Sequence, residues 1–435
     1  MRSRDYESIA QRGMTLIEMM VSILIASVLV IAVFSVMSTF EGRRRTLGSG
    51  SDLDQSGAIA IYQIDQWVRS AGSGLAQGYN ATAGGTGSYA YGCPIYAAKG
   101  GTQLLPATSL PAPFAGVSVT AAAPLIFRLA PVLVLPNQTT PGASGKTSDV
   151  LVVMSSGTNL GQVPSLFMAG AASGQLTLVN VMAFSPGDLA LLIDQQGVAG
   201  GKLSPCLVTQ VSSTFTRPSG TAINVLPLGG MGAPWYSSAV GTVAVNNFSS
   251  SSVAMDLGAP FAGTLSQPAG GTGGSAPSFQ LVGVGDNDSL LTYDLLNIAG
   301  TSPTAVPLQR AGNVFEMHVL YGVQATAGAT AGCVVSNWVN PAKDSTYTLN
   351  ALMAGTPAAA SLIKSICALR VGLILRTELP ERRAVNEATS LALFANFPPQ
   401  APDSSLVYPR PLSSAEQVYR YRTIEATIPV RNNNF

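Results

Sequence analysis

Charge is scarce in this sequence. Asp, Glu, Lys and Arg make up only 10% of its 435 residues, against roughly a quarter in soluble domains. The two signs nearly cancel, leaving a net +1. No global field is left to draw in nucleic acid or an anionic membrane surface. There is one histidine, His318, which weakens any mechanism built on paired imidazoles and most zinc sites. The four cysteines, Cys93, Cys206, Cys333 and Cys367, contain no C-x-x-C pair, so zinc and thioredoxin readings fail. Gly270–Gly274 is not followed by the Lys-Ser/Thr of a phosphate loop. No G-x-S-x-G elbow occurs either. Cofactor and enzyme readings therefore find nothing to stand on, and a non-enzymatic protein is expected.

A long apolar run is present once, at the N-terminus. Residues 1–13 are polar and carry Arg2, Arg4 and Arg12. From Met14 the chain reads MTLIEMMVSILIASVLVIAVFSVMSTF, to Phe40. As a helix, 14–40 would span about 40 Å, enough to cross a bilayer. The run is too long for a signal-peptide core, and no A-x-A cleavage site follows it. Glu18 breaks the pattern, with no Lys or Arg inside the run to pair with it. A carboxylate at such a place is either functional or sits at headgroup level and snorkels.

Arg12-Gly13-Met14-Thr15-Leu16-Ile17-Glu18, ahead of the apolar run, resembles the class III leader junction of type IV pilins and type II secretion pseudopilins. That resemblance implies cleavage between Gly13 and Met14 by a prepilin peptidase and N-methylation of Met14. Met14 departs from the phenylalanine usual in the family. A new amine at Met14 would be a cation near Glu18, and residues four apart share a helix face. Between chains the pairing would drive assembly and fix axial register, since low dielectric strengthens it. Arg43, Arg44 and Arg45 follow the helix, so charge counting leaves the orientation open. The resemblance implies a cytoplasmic leader and a single-pass inner-membrane helix. It puts the C-terminal domain in the periplasm, and at the pilus or cell surface after assembly.

Beyond the run, 45 Gly and 28 Pro point to short strands joined by turns and loops. Ile59, Ile61, Ile64, Trp67 and Val68 predict a helical continuation with a core-facing stripe. Gly48, Gly50 and Gly57 predict fraying between them, at up to ~1 kcal/mol each. The helix is expected to stop near Ala71–Gly74. Residues 72–123 read as mostly loop. Strands are expected at 149–154, 189–194, 206–211, 290–295, 314–323, within 363–376 and in 419–430. Residues 246–278, with Ser249–Ser252 and Gly270–Gly274, read as a flexible surface excursion. His318 is expected to point off one face of its strand. Gly285-Asp286-Asn287-Asp288 has a hint of calcium-loop spacing but lacks the closing Glu, and a turn explains it better.

Arg69-Ser70-Ala71-Gly72, FSPGDLALLID with a following Cys, GDNDSLLTYDL, AGNVFEMHVLYGV, CALRVGLILRTE and the terminal YRTIEATIPVRN together resemble PilW-type minor pilins of type IV pilus biogenesis. The fold class expected is α+β: a long N-terminal transmembrane and assembly helix, then a large β-rich pilin-like domain with extended loops. The expected divisions are leader 1–13, transmembrane and assembly helix 14–40, continuation of that helix 41–72 and exported domain 73–435. The expected function is a minor pilin in the initiation and tip complex. The alternatives are a J-type pseudopilin of a type II secretion system or a pilus-associated adhesin. Implied partners are prepilin peptidase, other minor pilins and the major pilin through the helix, a tip adhesin and the inner membrane, with no nucleic acid. In an exported domain four cysteines suggest two disulfides, with three connectivities open. Cys93–Cys206 with Cys333–Cys367 is favoured, because each pair lies within one half of the chain.

Overall fold

The computed structural model describes residues 15–75, 90–119, 124–142, 146–157, 164–172, 174–194, 198–217, 224–229, 235–260, 276–298, 305–325, 333–381, 385, 389–395 and 405–432. The leader with Gly13 and Met14, and Gly270–Gly274, lie outside them. The chain divides into two compact units, Met1–Asp54 and Gln55–Phe435. One helix, Leu16–Ser70, contributes to both.

That helix is unbroken, which corrects the expected fraying at Gly48–Gly57. Gly57 has a packing reason for its place. A Cβ there would come within 2.4 Å of both Leu375 and Ile424. The glycine lets the helix lie close to the strands below, and that contact offsets its poor helix propensity. The buried face of the second unit runs Gly57, Ala60, Ile64, Val68. The predicted stripe is therefore only partly right: Ile61 and Trp67 are half-buried, and Ile59 is exposed. Five residues at 100° each put Ile59 about 140° away from Ile64 around the helix.

Among the described residues the second unit holds three larger β-assemblies and three two-stranded pairs, Val198–Ala199 with Lys202–Leu203, Ala239–Val240 with Val243–Ala244 and Ser390–Leu393 with Tyr408–Pro411. A five-stranded sheet runs in the order Leu308–Ala311, Ser289–Asp294, Ser278–Gly285, Lys146–Ser155, Val132–Gly142. A four-stranded sheet runs Asn337–Val339, Val314–Val323, Ile366–Arg376, Tyr421–Pro429. The last strand is antiparallel to Ile366–Arg376 along its whole length. Side chains join the two sheets where no strand could. Ser148 Oγ accepts from Met317 N–H at 2.9 Å and donates to Met317 O at 3.0 Å, and Asp149 Oδ2 accepts from Val319 N–H at 2.9 Å. They satisfy backbone groups that Asn337–Val339, which pairs only with 321–323, leaves over.

The third assembly is a small closed barrel. Cys206–Gln210 pairs with Leu189–Asp194, which pairs with Ser252–Gly258, which pairs with Ser165–Leu166. The circuit continues through the Phe167–Leu178 bridge to Gln175–Thr177 and then Val225–Pro227. The Val211–Leu228 bridge closes it. Phe167, Leu176, Leu178, Leu192, Leu207, Leu226 and Ala254 fill the interior. Every residue of Ser252–Gly258 is buried, which overturns the reading of that stretch as a flexible excursion. Val253, Met255 and Leu257 alternate as a strand requires, but the serine run before them masks the pattern. Ile95–Lys99 and Thr102–Leu105 are two short strands within the stretch 72–123, read as mostly loop. Their Ala and Thr residues are small enough to read as linker.

Candidate functional site

The helix begins at a capping box. Thr15 N–H and Thr15 Oγ1 both donate to Glu18 Oε2 at 3.1 Å, and Glu18 N–H donates to Thr15 Oγ1 at 3.3 Å. A threonine followed three residues later by glutamate satisfies donors that helix geometry leaves unpartnered. The Glu18 carboxylate is thereby held against the amide just after Met14, and the rest of its surface is exposed.

From Leu16 to Ser38 the helix is long and apolar enough to cross a membrane. None of that stretch is buried by the chain itself; Ile31 and Phe34, for example, are each 68% exposed. Three of its four serines, Ser27, Ser35 and Ser38, bond back into the helix. Ser27 donates to Leu24 O at 2.8 Å, Ser35 to Ala32 O at 2.8 Å and Ser38 to Ser35 O at 2.9 Å. Such back-bonding removes the hydroxyl cost in hydrocarbon. Glu18 is then the one side chain of the run whose charge the run itself does not neutralise.

The cysteines pair as Cys93–Cys206 and Cys333–Cys367. Cys93–Cys206 joins the start of Ile95–Lys99 to the barrel strand alongside it, and those two strands run parallel. Cys333–Cys367 ties the segment before Asn337–Val339 to Ile366–Arg376.

His318 departs from its expected place. All of Val314–Val323 is buried, so alternation puts no side chain in solvent. Its Nδ1 lies 3.7 Å from Asp149 Oδ1, its Nε2 lies 3.5 Å from Glu316 Oε2, and Tyr408 stacks on the ring at 3.5 Å. Burial lowers the pKa of such an imidazole, but Asp149, and then Glu316, outweigh it and carry His318 up to about 9. Glu316 also accepts from Arg410 at 2.5 Å, and Arg410 reaches Glu416 at 2.5 Å. The cluster links both sheets to the 405–416 segment. It is packed shut, and its geometry is that of a structural clamp. Asp149, Glu316 and the Arg410–Glu416 pair carry no sequence signal that joins them, because they come from three separate segments.

Asp288, in the turn with a hint of calcium spacing, takes two hydrogen bonds from Arg376, at 2.9 and 2.5 Å. Its cation is thus supplied by the chain. Among the described residues no group of three or more His, Cys, Asp or Glu side chains could hold a metal ion.

Residues 281–432 match the family described as type IV pilus-assembly protein W, and residues 9–34 match the prokaryotic N-terminal methylation motif. No curated protein and no solved structure matches the chain. The family is one of pilus assembly, structural rather than catalytic. The barrel strands, Ser165–Leu166 to Ser252–Gly258, lie outside the matched residues. A methylation motif at the N-terminus and similarity to the pilus-assembly family over the last third of the chain are together consistent with a PilW-type prepilin.

Proposed function

We propose that the chain is a minor pilin of the initiation and tip complex of a type IV pilus, with no catalytic activity. Prepilin peptidase cuts between Gly13 and Met14, and Met14 is methylated. The helix holds the protein in the inner membrane, with the leader cytoplasmic and the C-terminal unit periplasmic. The observation that carries this reading is the helix itself. It presents a wholly exposed apolar surface over Leu16–Ser38, with one carboxylate fixed at its start. Lipid covers such a surface before assembly, and the helices of other pilins cover it afterwards. Glu18 then meets the methylated amine of a neighbour.

Two further observations support orientation and position. Both disulfides lie in Gln55–Phe435 and suit an oxidising compartment. A compact unit of that length has a radius of gyration of ~21 Å, against ~14 Å for a 120-residue pilin head. Heads of this size would collide along a closely packed shaft, whereas the tip has no subunit ahead of it.

Terminal sequencing of the membrane-extracted protein tests the processing. The expected terminus is Met14, lost in Gly13→Val; a terminus at Met1 in the wild type contradicts the proposal. Immunogold labelling of intact filaments tests the position. Label at one end is expected, and regular label along the shaft contradicts it. Deletion is expected to remove pili and leave type II secretion intact, which separates this reading from that of a pseudopilin.

A further inference from the structure

Two of the motifs noted in the sequence have no part in processing or membrane anchoring: Arg69-Ser70-Ala71-Gly72 and the terminal Arg431-Asn432. They meet in the structure. The Asn432 side-chain amide donates to the carbonyl of Arg69 at 3.3 Å and to that of Ala71 at 3.2 Å. Helix geometry leaves the last four carbonyls without N–H partners, and caps normally come from the residues that follow directly. Here the cap comes from the other end of the chain.

The surroundings make the arrangement specific. Gly72, at φ +76°, turns the chain out of the helix, and its N–H donates to Met154 O at 2.8 Å. A Cβ on Gly72 would sit 3.0 Å from Asn432 O and 3.2 Å from Pro131. Asn432 is brought there by Tyr421–Pro429 and by Val430 N–H, which donates to Cys367 O at 2.8 Å. Of the side chains at this helix end, Arg69 also reaches Asp65, at 2.6 Å and partly exposed. A pair of that kind contributes little. Val68 and Ala71 are fully buried, so loss of the cap would loosen the last turn and leave the core in place.

We propose that Asn432 is a positioning residue for assembly: it caps the far end of the assembly helix and fixes that end to the C-terminal strand. The helix end is then complete only when Tyr421–Pro429 has docked, so a chain in which that strand is undocked presents a loose helix. This rests on the assembly reading given above.

The test uses the full chain, in detergent and in cells. Asn432→Asp keeps the shape, removes both donors and sets an anion beside helix C-terminal carbonyls, which the helix dipole disfavours. Asn432→Ala removes the donors without adding charge and carries the test if the Asp variant does not accumulate. Asn432→Gln keeps the amide. Hydrogen exchange at Ala71, Gly72 and Ser73 is expected to quicken about fivefold or more in the Asp and Ala variants, the factor for one lost hydrogen bond. Gln is expected to recover part of the loss. The thermal midpoint should stay within a few degrees, while incorporation into sheared filaments falls severalfold. Unchanged exchange at those amides overturns the proposal. Quickened exchange with normal incorporation overturns its link to assembly. Wild-type protein absent from filaments would instead overturn the assembly reading, and the positioning claim with it, while the exchange result still decides whether the cap exists.

Discussion

Two of the regions where charge meets apolar surroundings treat it in opposite ways. Around His318 three carboxylates, Asp149, Glu316 and Glu416, face two cations, His318 and Arg410, and all five side chains are buried. In the N-terminal run a single carboxylate, Glu18, bonds only Thr15 among the described residues, and the apolar surface behind it is bare. The first region is closed: each charge has its counterpart within the chain. The second is open, and its surface and its charge are left for something outside. Burial with paired charge marks a core. Exposure of the same chemistry is what the proposed assembly interface requires.

The largest effect expected from breaking the closed region comes from Arg410. Arg410→Ala leaves Glu316, which is 0% exposed, and Glu416 without their guanidinium. Removing one partner of a buried pair costs about 3–5 kcal/mol. Denaturant unfolding of the extracted protein measures it, and a loss below ~1 kcal/mol would show that the cluster is not a clamp.

His318 gives the next largest effect, and its sign follows from its pKa. The folded value, about 9, lies above the ordinary 6.5. The stability from protonated His318 is therefore fully present below about pH 6.5 and is lost as pH rises through 9. At ~1.4 kcal/mol per pKa unit the change is on the order of 3 kcal/mol. Unfolding measured from pH 6 to 10 should show this decline, and His318→Gln should flatten it. A wild-type stability that does not fall across that window contradicts the pairing.

Gly57 sharpens the comparison with a smaller effect. Gly57→Val drives a branched side chain toward Leu375 and Ile424, whose ends already stand where its Cβ would go. Overpacking of this kind costs about 1–3 kcal/mol. Thermal unfolding should register it, whereas valine at exposed Ser38, in the open region, should leave the midpoint unchanged.

Much of this was legible in the sequence wherever the signal is local. Leu189–Asp194 and Val314–Val323 stand where alternation and turn residues predict them. The helix stops at Ser70, just before the Ala71–Gly74 turn. The Thr15–Glu18 capping box is local as well, yet it was not among the sequence expectations. What else escaped is non-local or compositionally disguised. Ser252–Gly258 is central to the barrel but follows a serine run, and Ile95–Lys99 is built from small residues. The barrel closes through two single bridges, Phe167–Leu178 and Val211–Leu228, that no window of sequence can contain. The same holds for Ser148 and Asp149 reaching Met317 and Val319, and for Asn432 reaching Arg69.

The central claim is that the open region is an interface and that Glu18 is its specific contact. Glu18→Ala tests it most directly, because the change removes a polar cost from the helix and leaves the closed region untouched. The variant should insert, be cut after Gly13 and unfold at the wild-type midpoint, yet be lost from sheared filaments. Incorporation of the Ala variant at the wild-type level would contradict the account.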